Sequence, residues 1–281
     1  MWRMVLQETG APDVPAVVVM LTQLREGGRE KCFQYFPHGD KDSPLRFSLE
    51  DDDDSDGIGM DQGSQGAGTG KGEVHLLSSH YDTHARTTIR TLRIDTQHNG
   101  HSISKRVHHL LFEGWPDFGV PSGADKIALL ALIKLSAKLN EGGPENPRIV
   151  HCSAGVGRSG TFIALDYLLG ELGEGSLDHA SGNEGQGRRK SSAFIDVMAR
   201  KRRSNGGSVA AGGAGGEAGQ GTDWSGDRIA ETVDRLRQQR MMMVQGESQF
   251  EFLYELLREQ WLERQGRGRD AAEEREEIVR R

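Results

Sequence analysis

The sequence predicts an α/β fold, a twisted mixed β-sheet flanked by helices, with one unusual loop joining a strand to a helix. Three features carry this expectation. Val14 to Leu21 is a β-branched apolar run of the kind that is buried on both faces of a sheet. Apolar residues recur at helical spacing after Ser122 and again after Gly246. Between a short strand at Arg148–His151 and a helix from Ser159 to about Leu169 lies Cys152-Ser153-Ala154-Gly155-Val156-Gly157-Arg158. Small residues surround its single cysteine and single arginine.

The remaining elements follow in chain order. Lys31 to Pro37 alternates Cys32, Gln34 and Phe36 against Phe33 and Tyr35 and reads as a second strand. Asp51 to Gly72 is acidic, then rich in Gly, Ser and Gln, and reads as a disordered insertion. Its Gly70-Lys71-Gly72 is not a P-loop, which needs Gly where Gln65 stands and Ser or Thr after the lysine. Thr87–Asp95 and Lys105–Phe112 flank Asn99-Gly100 and read as a hairpin with a long loop.

Ser122 is placed to cap a helix through Ile127, Leu130, Ala131, Lys134 and Leu135 that ends near Gly142-Gly143. A second disordered insertion is expected over about 170–226, with nine glycines between 206 and 226. It holds Arg188-Arg189-Lys190 and Arg200-Lys201-Arg202-Arg203, spaced like a bipartite nuclear-import signal; a solvated basic patch is the plainer reading. Ile229, Val233 and Leu236 then keep helical spacing. A last helix, capped by Ser248, is expected to carry Phe250, Leu253, Leu257 and Trp261 on one face. Met241 to Met243 read as core filler, and the charged tail 266–281 is expected to fray.

Composition bounds the function. The 281 residues carry a formal net charge of −7, no electrostatic footprint for nucleic acid. A site for an anionic ligand must therefore make its own local positive field. Two cysteines, Cys32 and Cys152, make no disulfide scaffold and fit a reducing compartment. No apolar run reaches the length of a membrane span and no signal peptide opens the chain. A cytoplasmic protein is expected, with a nuclear location left to the basic clusters. His38, His108 and His109 lack metal-ligand spacing.

The loop from Cys152 to Arg158 carries the chemistry. Its small residues let the backbone curl, which aims successive N–H groups inward as a nest for phosphate oxygens. The following helix adds the positive end of its dipole. Arg158 adds a planar guanidinium that grips two phosphate oxygens at once. The same field favours the ionised sulfur, so Cys152 is expected to act as a thiolate nucleophile.

His151-Cys152-Ser153-Ala154-Gly155-Val156-Gly157-Arg158-Ser159-Gly160 resembles the signature loop of the protein tyrosine phosphatase family, in its tyrosine-specific, non-receptor, fungal-like branch. The resemblance implies attack by Cys152, phosphoryl binding by Arg158 and by the loop from Ser153 to Gly157, and leaving-group help from the Ser159 hydroxyl. Trp115-Pro116-Asp117-Phe118-Gly119-Val120-Pro121 resembles the family's mobile acid loop. Asp117 would be general acid, then general base, with Trp115 in support. Gln245-Gly246-Glu247-Ser248-Gln249 resembles its glutamine loop, with Gly246 where the family has Thr. Gln245 would orient the hydrolytic water, and Gln249 is a second candidate.

Glu26-Gly27-Gly28-Arg29-Glu30-Lys31 resembles the loop whose glutamate braces the catalytic arginine; Glu26 takes that role and Lys31 a contact with the acid. His151 supports the nucleophile.

What the resemblance implies as a whole is a signalling enzyme that removes phosphate from phosphotyrosine in proteins, through a phosphocysteine and with no metal or cofactor. The family domain is expected over 1–265 with its N-terminal part missing, since no Lys-Asn-Arg-Tyr-like segment precedes Trp2. The alternatives are a phosphotyrosine-binding pseudophosphatase and a poorly folded fragment. Nucleic acid and membrane are not expected as partners, and the oligomeric state is not legible.

Overall fold

The computed structural model describes residues 1–49, 71–98, 101–117, 119–173 and 227–280. Most of both glycine-rich insertions, with both basic clusters, lies outside the described residues. The chain divides into two compact units, Met1–Gly114 with Pro121–Ser153, and Trp115–Val120 with Ala154–Arg281.

The first unit is built on a six-stranded mixed sheet in the order β4-β5-β6-β7-β1-β8. Strands β4 (Leu45–Ser48), β5 (Lys71–Asp82), β6 (Thr87–His98) and β7 (His101–Phe112) are antiparallel neighbours. Strand β1 (Ala16–Met20) runs parallel to both β7 and β8 (Ile149–His151). All five residues of β1 are buried, which is why its sequence is continuously apolar rather than alternating. The long β6–β7 pair does alternate: Leu92, Ile94 and Val107 face a core that also holds Val18, Met20, Phe36 and Ile149. Helix α1 (Trp2–Glu8) adds Trp2 and Val5 to the same core.

Several expectations need correction. Lys31 to Pro37 is not a strand, because both edges of β1 are already taken by β7 and β8. Side chains take two of its carbonyls instead: Trp2 Nε1 donates to Tyr35 O at 2.7 Å, and Gln34 Nε2 to Phe36 O at 3.2 Å. The first insertion does not reach Gly72. Lys71 and Gly72 open β5, where a Cβ on Gly72 would stand 2.2 Å from the Phe47 ring of β4, so this glycine is a packing residue. The β6–β7 turn is tight rather than long, since His98 pairs directly with His101.

Helix α2 (Ala124–Lys138) has no side-chain cap; the Ser122 carbonyl accepts from Asp125 N instead. Its buried face is Ala128, Leu129, Ala131, Leu132, Ile133 and Ser136, whereas Ile127 is 62% exposed.

The second unit is helical. Helix α3 (Gly157–Gly173) packs against both α4 (Arg228–Gln239) and α5 (Glu247–Arg280). It is buried without interruption from Gly157 to Leu165, as a helix surrounded by others must be. It also runs past 170, where the second insertion was expected to begin. Asp227 caps α4 by accepting from Ile229 N and Ala230 N, both at 3.0 Å.

Helix α5 is capped by reciprocity, not by Ser248. The Gly246 carbonyl accepts from Gln249 N and Phe250 N, while Gln249 Oε1 takes Gly246 N at 3.2 Å. Its buried face is Phe252, Leu253, Leu256 and Leu257, and Trp261 is 41% exposed. The backbone is helical to Arg280, where the tail beyond 266 was expected to fray; Ala271, Ala272 and the run of Glu and Arg are strong helix formers. Among the described residues no helix is long and apolar enough to cross a membrane.

Candidate active site

Strand β8 delivers Cys152 as the residue that follows its end. Leu21 N donates to His151 O at 2.9 Å, and Cys152 is buried. Behind it lies a hydrogen-bonded chain that the sequence did not announce. His151 Nδ1 is 3.2 Å from the Cys152 carbonyl, which can only accept, so Nδ1 carries the ring proton. Nε2 must then accept, and the Tyr35 hydroxyl donates to it at 2.6 Å. The Tyr35 oxygen in turn accepts from His109 Nε2 at 2.9 Å. That leaves His109 Nδ1 as a buried acceptor with no partner among the described residues.

Burial keeps this chain neutral. It lowers the pKa of His151, and it lowers that of His109 well below the usual imidazole range, with Arg90, His151 and His38 repelling the charged form. Burial raises the Tyr35 phenol well above its ordinary value.

Unfolding therefore takes up protons at acid pH. The unfolded histidines titrate near pH ~6.5 and the folded ones below it. Below that pH the unfolded state binds more protons, so stability rises with pH and is lost as pH falls through the window under about 6.5. Each such histidine contributes a slope of up to about 1.4 kcal/mol per pH unit. Urea midpoints between pH 7.5 and 5 should show this acid loss. His109→Gln, which keeps a donor for Tyr35, should flatten it by up to one proton; an unchanged slope would contradict the assignment.

The remainder of the signature loop belongs to the second unit. Gly155 takes a φ of +70°, a conformation that suits glycine. Arg240 Nη2 donates to Ala154 O at 3.0 Å, and Val244 N donates to Val156 O at 3.1 Å. Ser153 and Ala154 are exposed, and Gly155 and Val156 half-buried, whereas Gly157 and Arg158 are buried. Helix α3 starts at Gly157, where a Cβ would stand 3.0 Å from Gln249 Oε1. The N–H groups of its first turn have no intrahelical acceptors, which makes this end a ready anion site. A Cβ on Gly160 would stand 2.5 Å from Val244 N, so the close approach of α3 to the glutamine loop requires glycine there.

Arg158 is 4% exposed. Its Nη2 donates to Asp117 Oδ1 at 2.8 Å, and its Nη1 to Trp115 O at 3.4 Å. Acid and cation, 41 residues apart in sequence, are thus held together inside one unit. Trp115 braces the acid loop: its indole N–H donates to Gly119 O at 3.0 Å, and its ring meets Phe252 edge-on. The Ser159 hydroxyl is buried with no hydrogen-bond partner among the described residues.

The supporting residues are less uniform. Glu26 and its hairpin partners form β2 (Arg25–Glu26) and β3 (Arg29–Glu30), joined by Gly27 and Gly28 at φ values of 56° and 77°. Glu26 Oε1 accepts from Thr22 Oγ1 at 2.9 Å and Gln23 N at 3.2 Å. Lys31 N donates to Leu24 O, and Cys32 lies in the loop beyond β3 rather than in a strand. Gln245 is exposed, whereas Gln249 is buried as the cap of α5.

Met241 and Met242 are 80% and 56% exposed, so only Met243 fills core. The turn that excludes them is held by Arg237, which donates to Met243 O and Val244 O. Tyr35, His109 and Arg240 make contacts that no motif in the sequence assigns to them. The only signal for them was polarity inside otherwise apolar or charged runs. Among the described residues no cluster of three or more His, Cys, Asp or Glu side chains is placed to hold a metal ion.

Comparison with known proteins bears on these residues. A family model described as protein-tyrosine phosphatase matches residues 1–51, 61–181 and 218–259. Tyrosine-protein phosphatase 1 of Saccharomyces cerevisiae is 31% identical over 253 residues, covering 90% of this chain and 62% of that protein. Human tyrosine-protein phosphatase non-receptor type 9 is 37% identical over 169 residues, covering 56% of this chain and 24% of that protein. The solved structure of the Trypanosoma brucei protein tyrosine phosphatase TbPTP1 aligns with a TM-score of 0.53 at 25% identity, over 90% of this chain and 61% of that one. The chain spans less than two-thirds of the length of each.

Proposed function

Since this chain belongs to the protein-tyrosine phosphatase family, we propose that it hydrolyses phosphotyrosine in proteins by two displacements at phosphorus. The observation that carries the reading is the 2.8 Å pair of Arg158 with Asp117, in a chain whose sequence carries a cysteine six residues before that arginine. A phosphoryl dianion needs a fixed cation to receive it and a carboxyl group nearby to protonate the leaving oxygen. One guanidinium in contact with one carboxylate supplies both requirements.

In the first step the Cys152 thiolate attacks phosphorus and an S–P bond forms. The P–O bond to the tyrosine breaks as Asp117 gives its proton to the departing phenolic oxygen. Arg158 and the N–H groups at the start of α3 hold the phosphoryl oxygens while charge shifts on them. In the second step a water placed by Gln245 attacks phosphorus and gives its proton to Asp117. The S–P bond breaks, returning the thiolate and releasing inorganic phosphate. Ser159, whose hydroxyl is otherwise unengaged among the described residues, would stabilise the sulfur as it leaves. Glu26 is assigned to bracing Arg158, Lys31 to contact with the acid, and His151 to fixing the backbone at Cys152.

The partners on this reading are phosphotyrosine-containing proteins. The test is phosphate release from a phosphotyrosyl peptide by the wild-type chain and by Cys152→Ser. Release by the wild type that vanishes in the variant is expected. A folded wild-type chain that binds the peptide and releases nothing would overturn the enzymatic reading in favour of a binding module.

A further inference from the structure

The basic clusters of the sequence take no part in this chemistry, and an open groove on the second unit is also left without a role. That groove, a cavity of about 440 Å³, lies between α4 and the start of α5. Its floor is apolar, made by Ala230, Val233 and Phe250. Its rim is acidic, with Glu231, Asp234 and Glu247 against the single cation Arg237. The Arg237 guanidinium is turned to the carbonyls of Met243 and Val244, to which it donates at 3.0 and 2.9 Å. Arg228 shares Glu231 at 3.2 Å, and Gln238 donates to Asp234 Oδ2 at 2.7 Å. The groove therefore offers an apolar floor under a net negative edge, and Gln245 stands at its end.

We propose that this groove is the docking site for a segment of the same chain, Phe194 to Arg203. Charge complementarity is the first argument. Arg200-Lys201-Arg202-Arg203 brings four cations to a rim of three carboxylates. The apolar pattern is the second: Phe194, Ile195, Val197 and Met198 precede the cations and match a floor of Ala230, Val233 and Phe250.

Chain length is the third. Arg203 stands 24 residues before Asp227, and the first groove residue, Ala230, lies one helical turn beyond. Twenty-four residues span at most about 80 Å when extended, so every point of the groove is within reach. A tether of this length makes the encounter intramolecular, and modest attraction is then enough for occupancy. The other cluster, Arg188-Arg189-Lys190, brings three cations rather than four and stands further from α4.

Lys201 gives the test its chemistry, because a carbodiimide joins an amine only to a carboxylate in direct contact. The full chain is treated with carbodiimide at low protein concentration, and the monomer fraction is digested and sequenced by mass spectrometry. Links from Lys201 to Asp234 or Glu247 are expected. They should fall at least five-fold at 0.5 M salt, since exposed charges are screened there. The same loss is expected when Asp234→Lys and Glu247→Lys are combined.

Joining those two changes to Arg200→Glu, Lys201→Glu, Arg202→Glu and Arg203→Glu should restore a link with its polarity reversed. Thermal melts verify that each variant folds. Links spread evenly over other carboxylates, links insensitive to the groove changes, or links found only in covalent dimers would each overturn the proposal. The last result would assign the groove to a second copy or another protein.

Discussion

Replacing Cys152 by serine is expected to lower phosphate release from a phosphotyrosyl peptide by about 10⁴-fold or more, as loss of a covalent nucleophile does elsewhere. A serine hydroxyl in the same place ionises far above neutral pH and gives no comparable nucleophile. The substitution leaves the cradle intact. Gly155 keeps its turn, Arg240 still holds Ala154 O, and Arg158 still presents its guanidinium. Peptide binding should therefore persist in Cys152→Ser while turnover disappears. A variant that retains even a hundredth of wild-type turnover would remove Cys152 from the nucleophile's role.

The second large effect is expected at Asp117. Asp117→Ala should lower kcat by roughly 10² to 10⁴, the usual worth of a positioned general acid. The loss should shrink for substrates with good leaving groups, which need no proton. Binding should move the other way. Asp117 occupies Arg158 Nη2 at 2.8 Å in the unliganded chain, so a bound phosphoryl group would have to displace it. Without that competitor the phosphopeptide Kd is expected to stay unchanged or tighten a few-fold. Equal loss of kcat and affinity would instead make Asp117 a structural partner of the arginine. Arg158→Lys should fail in binding even with its charge kept, because an ammonium cannot grip two oxygens in one plane.

Much of this arrangement was legible in the sequence, and the reasons for success and failure are physical. The β1 run was legible because a strand buried on both faces has to be apolar throughout. The β6–β7 hairpin was legible because each strand alternates over a core on one side. Strand β5 was missed: Ser78, Ser79 and His80 carry no apolar signal, and the register shifts between Leu76 and Ser78. Gly72 was misread as linker because a glycine that makes room for Phe47 looks the same in sequence as a flexible one.

The helix faces of α2 and α5 were misplaced by about one residue in each turn. Ile127 and Trp261, both placed on the expected apolar faces, are 62% and 41% exposed. Cys152, Arg158 and Asp117 stood out through their motifs, yet the Arg158–Asp117 bond itself spans 41 residues and leaves no local trace. The chain from His109 through Tyr35 to His151 was hidden for the same reason. Its members are separated by 74 and 116 residues, and only the sheet register brings His109 and His151 to one phenol.

The central claim is a phosphocysteine on Cys152, and trapping it tests that claim most directly. On the proposed roles, Gln245→Ala should slow the second displacement more than the first, so that the intermediate accumulates. Rapid acid quench of this variant with an aryl phosphate, followed by peptide mass analysis, should place one phosphoryl group on the peptide that contains Cys152. Rapid release of the phenol with no phosphoryl group on that peptide at any quench time would contradict the account.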